Sequence, residues 1–168
     1  MKKVRNGAEL LVLTDRTVYD GERRYLDPHL ATSAVDMALK QFRVEPGEEN
    51  LRRRCGIVLR SAAIRNVHDT MLALGLGANG VCPYVTVEVI CVEDYESDVS
   101  NLCDALTKGI EKVISTIGIH EVRGYARQFS SIGINPELAE IFQTKAFGAS
   151  ARGGTGFADP DEDTNASA

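Results

Sequence analysis

No apolar stretch in the 168-residue sequence approaches the ~20 residues that cross a bilayer. The amino terminus, Met1-Lys2-Lys3, has the basic start of a secretory signal. The apolar run behind it is only Leu10 to Leu13 and stops at Thr14-Asp15-Arg16, too short for a signal sequence. A cytoplasmic protein with no membrane partner is expected. A basic stripe with interleaved aromatics is also missing, and the formal net charge is −5. The densest positive spot, Arg52-Arg53-Arg54, directly precedes an apolar strand-like segment and reads as a solvated approach to that strand, so no nucleic-acid partner is expected. The four cysteines, Cys55, Cys82, Cys91 and Cys103, form no CxxC and no short metal-ligand spacing. Cys55, Cys82 and Cys91 fall in or at the end of apolar runs, where a thiol behaves as a small hydrophobe. No metal or iron–sulfur ligands are expected. There is no internal repeat, and no Ser or Cys sits in a nucleophile elbow.

What is present is ordinary globular material, 43% hydrophobic and 26% charged, with room for one compact domain or slightly more. Leu10 to Leu13 is a continuous apolar run, the pattern of a strand buried on both faces. Asp27-Pro28 opens a helix, with Asp as cap and Pro in the first turn. Its apolar positions Leu30, Ala34, Met37, Ala38 and Phe42 recur at helical spacing, and it stops before Pro46-Gly47. Cys55 to Leu59 is a second strand. Asn66 to Leu76 is a second helix, with Val67, Met71 and Leu74 on one face and Gly75 and Gly77 as its stop. Gly80 to Val87 begins as a third strand whose pairing Pro83 should end. This alternation predicts an α/β fold with parallel strands, either an open sheet or part of a barrel. A helical part follows: Asp98 to Ser115, a shorter helix around Val122 to Ser131, and Pro136 to Phe142 capped by Asn135. The stretch from Ala158 to Ala168 is acidic and lacks large apolar residues, so a disordered tail is expected.

Several residues invite a chemical reading. Asp15 and Arg16 follow the first strand, and ligands in parallel sheets gather at the carboxyl ends of strands. They either position a ligand or simply pair and cap a loop. Arg65, His68 and Asp69 sit at a helix start, where free N–H groups favour anions, although neighbouring helix residues such as His68 and Asp69 do not face each other. Gly75-Leu-Gly-Ala-Asn-Gly80 resembles a dinucleotide fingerprint in composition only. It closes a helix and leads into a strand, the reverse of what that motif needs. Lys108, Lys112, Arg123 and Arg127 recur at three- to four-residue intervals, which suits either a dicarboxylate or phosphate site or a solvated helix face. Gly148 to Gly156 either wraps a phosphate or forms a flexible exit loop.

In order along the chain, six segments resemble the glutamate synthase large subunit. Leu11-Val-Leu-Thr-Asp-Arg16 is similar to that family's "LSDR", and Asp27-Pro-His-Leu-Ala31 stands at its "IPSLLA" helix start. Arg65-Asn-Val-His-Asp69 stands at "REVHH". Leu74-Gly-Leu-Gly-Ala-Asn-Gly-Val-Cys-Pro-Tyr84 is similar to "IGYGADAINPYL", and Lys108 to Ile119 to "KGLLKVMSKMGI". Gly124 to Arg127 with Phe129 to Ile134 resembles the archaeal-type branch. The resemblance covers about residues 10 to 156. It implies that 1–96 is the end of the central domain, 97–157 the start of the FMN-binding barrel, and 158–168 a tail.

In that family the region helps build the site where 2-oxoglutarate and ammonia form an imine that reduced FMN converts to glutamate. The resemblance implies substrate or flavin contacts at Lys108, Lys112, Ser115 and Arg127, with Asp15, Arg16 and His68 supporting. The pattern is not complete. Arg60, Ala63 and Asn66 stand where the family has glutamates, Asp69 replaces a histidine and Thr116 a lysine. The rest of the barrel, the cysteine cluster of the 3Fe-4S centre and a glutaminase cysteine are missing from the sequence. A half barrel leaves strand edges open. The resemblance therefore implies no independent synthase activity, with FMN bound only where a completing partner is present. That partner is the remaining barrel chain, or a second copy in a homo-oligomer. The other outcome is a non-enzymatic, partner-binding remnant.

Overall fold

The computed structural model describes residues 2–18, 21, 24–42, 47, 49–90, 94–126, 131–132, 134–144 and 146–147. Two compact units divide at residue 128. The first is built on three parallel strands in sequence order, β1 (Leu10–Thr14), β2 (Gly56–Arg60) and β3 (Gly80–Cys82). The register runs from Leu10 opposite Gly56 to Thr14 opposite Arg60, and from Val58 opposite Gly80 to Arg60 opposite Cys82. Helix α1 (Lys2–Arg5) precedes β1, α2 (Pro28–Gln41) links β1 to β2, and α3 (Val67–Gly75) links β2 to β3. The fold is the α/β class expected from the sequence.

A strand sends alternate side chains to opposite faces, and here one set is covered. Leu11, Leu13, Ile57, Leu59 and Val81 pack with Val4 of α1, Leu39 of α2, Leu51, Ala73 of α3 and Ile64 in two adjoining core clusters. All three helices therefore lie on one face. The other set (Leu10, Val12 and Val58) faces away from them. Leu10 is 57% and Val12 53% exposed, so β1 is not buried on both faces as its apolar run suggests. It is an edge strand with a single helical layer behind it.

Helix α2 holds a second departure. Asp27 caps it, accepting from the Leu30 N–H at 2.8 Å, with Pro28 in the first turn. Its most buried stripe, however, is polar: His29, Thr32, Ser33 and Asp36, with Leu39. The predicted stripe Leu30, Ala34, Met37, Ala38 and Phe42 is only half-buried. Burial of polar groups is tolerated because they find partners. Thr32 donates to the Pro28 carbonyl at 2.7 Å, His29 Nε2 lies 3.2 Å from the Asp69 carbonyl, and Asp36 is ion-paired.

Strand β3 ends at Pro83, as expected, but the chain then turns at once into helix α4 (Tyr84–Ile90). Val85, Thr86 and Val87 favour strands locally, yet Pro83 has no N–H to continue a ladder. Tertiary contacts decide the outcome: Thr86 Oγ1 donates to the Ile64 carbonyl at 2.9 Å, and the Arg60 guanidinium sits 4.7 Å from the Tyr84 ring centre. Helix α5 (Tyr95–Thr116) begins at the cap Asp94. Around Val122 to Ser131 the described residues hold a 3-10 turn, Val122–Tyr125, in place of the expected helix. In the second unit, β4 (Ser131–Ile132) pairs parallel with β5 (Ala146–Phe147), and α6 (Pro136–Ile141) is capped by Asn135 as predicted. The expected tail and the Gly148 to Gly156 loop lie outside the described residues.

Helices α3 and α5 meet at Gly109, where a Cβ would fall 2.4 Å from Val67 Cγ2. Gly109→Ala ordinarily gains up to about 1 kcal/mol in a helix interior. Here the clash should outweigh that gain, for a net loss of about 1 kcal/mol. Urea unfolding of G109A, with the V67A/G109A double variant recovering the loss, checks this close approach.

Candidate functional site

The carboxyl ends of the three strands converge on Asp15, which is buried. Its carboxylate accepts from Ser61 Oγ at 2.5 Å, from the Ala62 N–H at 3.0 Å and from the Tyr84 hydroxyl at 3.1 Å. Asp15 thus ties the end of β1 to the loops after β2 and β3. Ser61 Oγ also accepts from the Ala63 N–H at 3.0 Å. Both Asp15 oxygens are bonded to donors that follow β2 and β3, and Arg16 is not among them. Its neighbour Arg16 is exposed at the start of a 3-10 turn.

His68 is exposed on the first turn of α3. Asn66 caps that helix through the Asp69 N–H at 3.0 Å, and Asp69 Oδ2 accepts from the Arg65 N–H at 3.0 Å. Asp69 thus reaches past the cap to the N–H of the residue before it, which turns its carboxylate towards Arg65. Lys108, Lys112 and Ser115 share one exposed side of α5 at helical spacing. Arg127 lies outside the described residues. Among the described residues no group of three or more His, Cys, Asp or Glu is placed to hold a metal.

The amino ends of the strands carry a constellation that sequence reading missed. Arg52 is not solvated: its side chain is 17% exposed and that of its partner Asp36 only 2%. Arg52 Nε donates to Asp36 Oδ1 at 2.7 Å, Nη1 to the Cys55 carbonyl at 2.7 Å, and Nη2 to the Gly77 carbonyl and Asn79 Oδ1, both at 2.8 Å. Asn79 Oδ1 also accepts from the Ile57 N–H at 2.9 Å, and Lys40 Nζ meets Asp36 Oδ2 at 2.7 Å. One guanidinium thus fastens α2, the approach to β2 and the α3–β3 turn. Gly77 completes the arrangement: its φ is +113°, and a Cβ there would sit 2.6 Å from Asp36 Cγ. The only signal in the sequence was a charged residue, Asp36, inside a helix with apolar neighbours. Arg52 and Asp36 line a cleft of about 970 Å³ with Arg53, Arg54, Arg123 and others. Arginines and lysines near helix carboxyl ends complement exposed carbonyls, and Arg52 does so here.

A family model described as the glutamate synthase central domain matches residues 1–135, most of the chain. The chain belongs to the glutamate synthase central-domain family. It is 30% identical over 151 residues to the glutamate synthase [NADPH] large chain of Bacillus subtilis, covering 84% of this chain and 9% of that protein. It is 33% identical over 147 residues to the glutamate synthase [NADH] of Schizosaccharomyces pombe, covering 80% of this chain and 7% of that protein. Against the chloroplastic ferredoxin-dependent enzyme of Spinacia oleracea it is 28% identical over 159 residues, covering 82% and 9%. The chain thus spans less than a tenth of the length of these relatives.

Several positions where the resemblance marks a departure make local contacts in this glutamate synthase central-domain segment. Arg60 stacks on Tyr84, Asn66 caps α3, Asp69 accepts from the Arg65 N–H, and Thr116 Oγ1 donates to the Lys112 carbonyl at 2.7 Å, whereas Ala63 bonds Ser61 through its backbone N–H alone. A flavin needs a slot with apolar walls and a few polar groups. An exposed helix side carrying Lys108, Lys112 and Ser115 provides no such slot by itself, and none of the three lines the cleft.

Two outcomes follow. Arg52→Ala takes the bond from Asp36 Oδ1 and leaves the buried carboxylate to Lys40 at Oδ2; it should cost about 3 kcal/mol in denaturant unfolding, and Arg52→Lys should recover little, since one ammonium cannot replace the fork. Burial pushes the Cys55 thiol above the ordinary value of 9.0, with Arg52 pulling the other way. Timed alkylation near neutral pH should therefore modify the exposed Cys103 and spare Cys55 until the chain unfolds.

Proposed function

We propose that the chain supplies a structural layer to a glutamate synthase and forms no glutamate alone. In this reading FMN, 2-oxoglutarate and glutamine-derived ammonia are handled only once a chain carrying the remaining barrel is present, in the cytoplasm. The observation that carries the reading is the satisfied strand-end cluster. Asp15, Ser61 and Tyr84 use their polar atoms on one another, at the place where a parallel sheet would otherwise present catalytic groups. The family match to the central domain supports it as well. In the assembled enzyme, Lys108, Lys112 and Ser115 form one wall against the barrel.

A second reading, a partner-binding remnant without enzyme activity, is favoured by Arg60, Ala63 and Asn66. In place of the glutamates that the resemblance implies, Arg60 packs on the Tyr84 ring, Asn66 caps α3, and Ala63 carries no acid.

Incubating the purified chain with FMN, then desalting and recording flavin absorbance, should leave no flavin on the protein. Glutamate formation from 2-oxoglutarate, ammonium and a reductant should stay at background. Both should appear when a barrel-carrying glutamate synthase polypeptide from the same cell is added. Stoichiometric flavin on the lone chain overturns the proposal, and continued inactivity with the added polypeptide favours the remnant.

A further inference from the structure

We propose that the outer face and free edge of β1 form one docking surface, whose occupant is a strand-plus-helix unit of another glutamate synthase segment. The inference rests on the reading that the chain is one layer of a larger enzyme. Parallel sheets are normally covered on both faces. Here β1, β2 and β3 follow one another in order, and the helices around them all pack on the Leu11, Leu13, Ile57 and Leu59 side. Right-handed crossovers between strands in sequential order always place their helices on one side. No further winding of this kind inside the unit can cover the opposite face.

The uncovered face has a definite shape. Leu10 leans over Gly56, where a Cβ would lie 3.2 Å from Leu10 Cδ1, and Val58 Cγ2 lies 3.7 Å from a Cβ at Gly80. The two glycines at the amino ends of β2 and β3 lower the floor beside the ridge of Leu10 and Val12. An apolar helix can settle there. The free edge belongs to the same strand: among the described residues nothing pairs with the outer side of β1. The opposite edge suits extension poorly, because β3 has three residues and then Pro83 and a helix.

Candidate occupants differ in what they satisfy. A lone helix covers Leu10 and Val12 but leaves the backbone edge unpaired. A second copy paired edge to edge closes the ladder but leaves both apolar faces open, while a copy stacked face to face does the reverse. A parallel strand laid beside β1, with its helix crossing to the Leu10 side, satisfies edge and face together. The five residues of β1 span about 16 Å, a length that roughly eleven residues of helix match. In the relatives more than nine-tenths of the polypeptide lies outside the matched stretch, so segments of this kind are available.

The test places a photo-reactive side chain on the surface. Val12→p-benzoylphenylalanine, in the full chain expressed in its native host, should cross-link to a strand–helix segment of a glutamate synthase polypeptide, mapped by mass spectrometry. Gln41→p-benzoylphenylalanine, exposed on α2, should give no such product. Val12→Lys should abolish the interaction on size-exclusion chromatography while leaving the melting temperature of the isolated chain unchanged. Cross-links to a second copy, to another part of the same chain, or to barrel strands without a helix overturn the proposal, as does no cross-link at all. None of these readouts depends on flavin or turnover, so loss of synthase activity and loss of docking are told apart.

Discussion

The buried pair between Asp36 and Arg52 is the contact on which the remainder of the first unit rests. A carboxylate almost wholly removed from water is tolerated only with a charge beside it and its oxygens bonded; Arg52 meets Oδ1 and Lys40 meets Oδ2. The same guanidinium holds the Cys55 and Gly77 carbonyls and the Asn79 side chain. The start of β2 and the turn into β3 are therefore placed by one side chain, and α2 is locked to them through Asp36. The left-handed Gly77 follows from this, because a larger residue would occupy the space of the Asp36 carboxylate. Asp15 plays the matching part at the other end of the sheet, gathering the loops after β2 and β3 with hydroxyl and amide donors.

Element order and type were readable from the chain because local signals agree with the global fold there. Asp27-Pro28, Asn66 and Asn135 cap helices, and Gly77 and Pro83 end elements, all through backbone chemistry that needs no tertiary knowledge. The buried faces were less legible. Helix α2 turns a polar stripe inward, since His29, Thr32 and Asp36 have partners that no periodicity reveals. Val85 to Val87 read as strand because the packing of Tyr84 on Arg60 is non-local. Asp15 stands out from its position at a strand end, whereas Arg52 reads as one of three solvated arginines: three of its four partners lie 16 to 27 residues away in sequence.

The one-sided sheet connects the physical description to the family. A chain spanning less than a tenth of its relatives carries apolar strand residues, Leu10 and Val12, that remain in water. Burying a leucine contributes about 1.5–3 kcal/mol, so this surface holds unused association energy beside an open ladder. Three of the positions that the resemblance implies for substrate or flavin contact, Lys108, Lys112 and Ser115, lie elsewhere, on the exposed side of α5.

Amide hydrogen exchange on the isolated chain tests the one-sided sheet most directly. Protection should be strong across β2 and the covered sides of α2 and α3, and the β1 amides that do not bond β2 should exchange quickly. Protection of all β1 amides equal to that of β2, in the monomeric chain, would contradict the account.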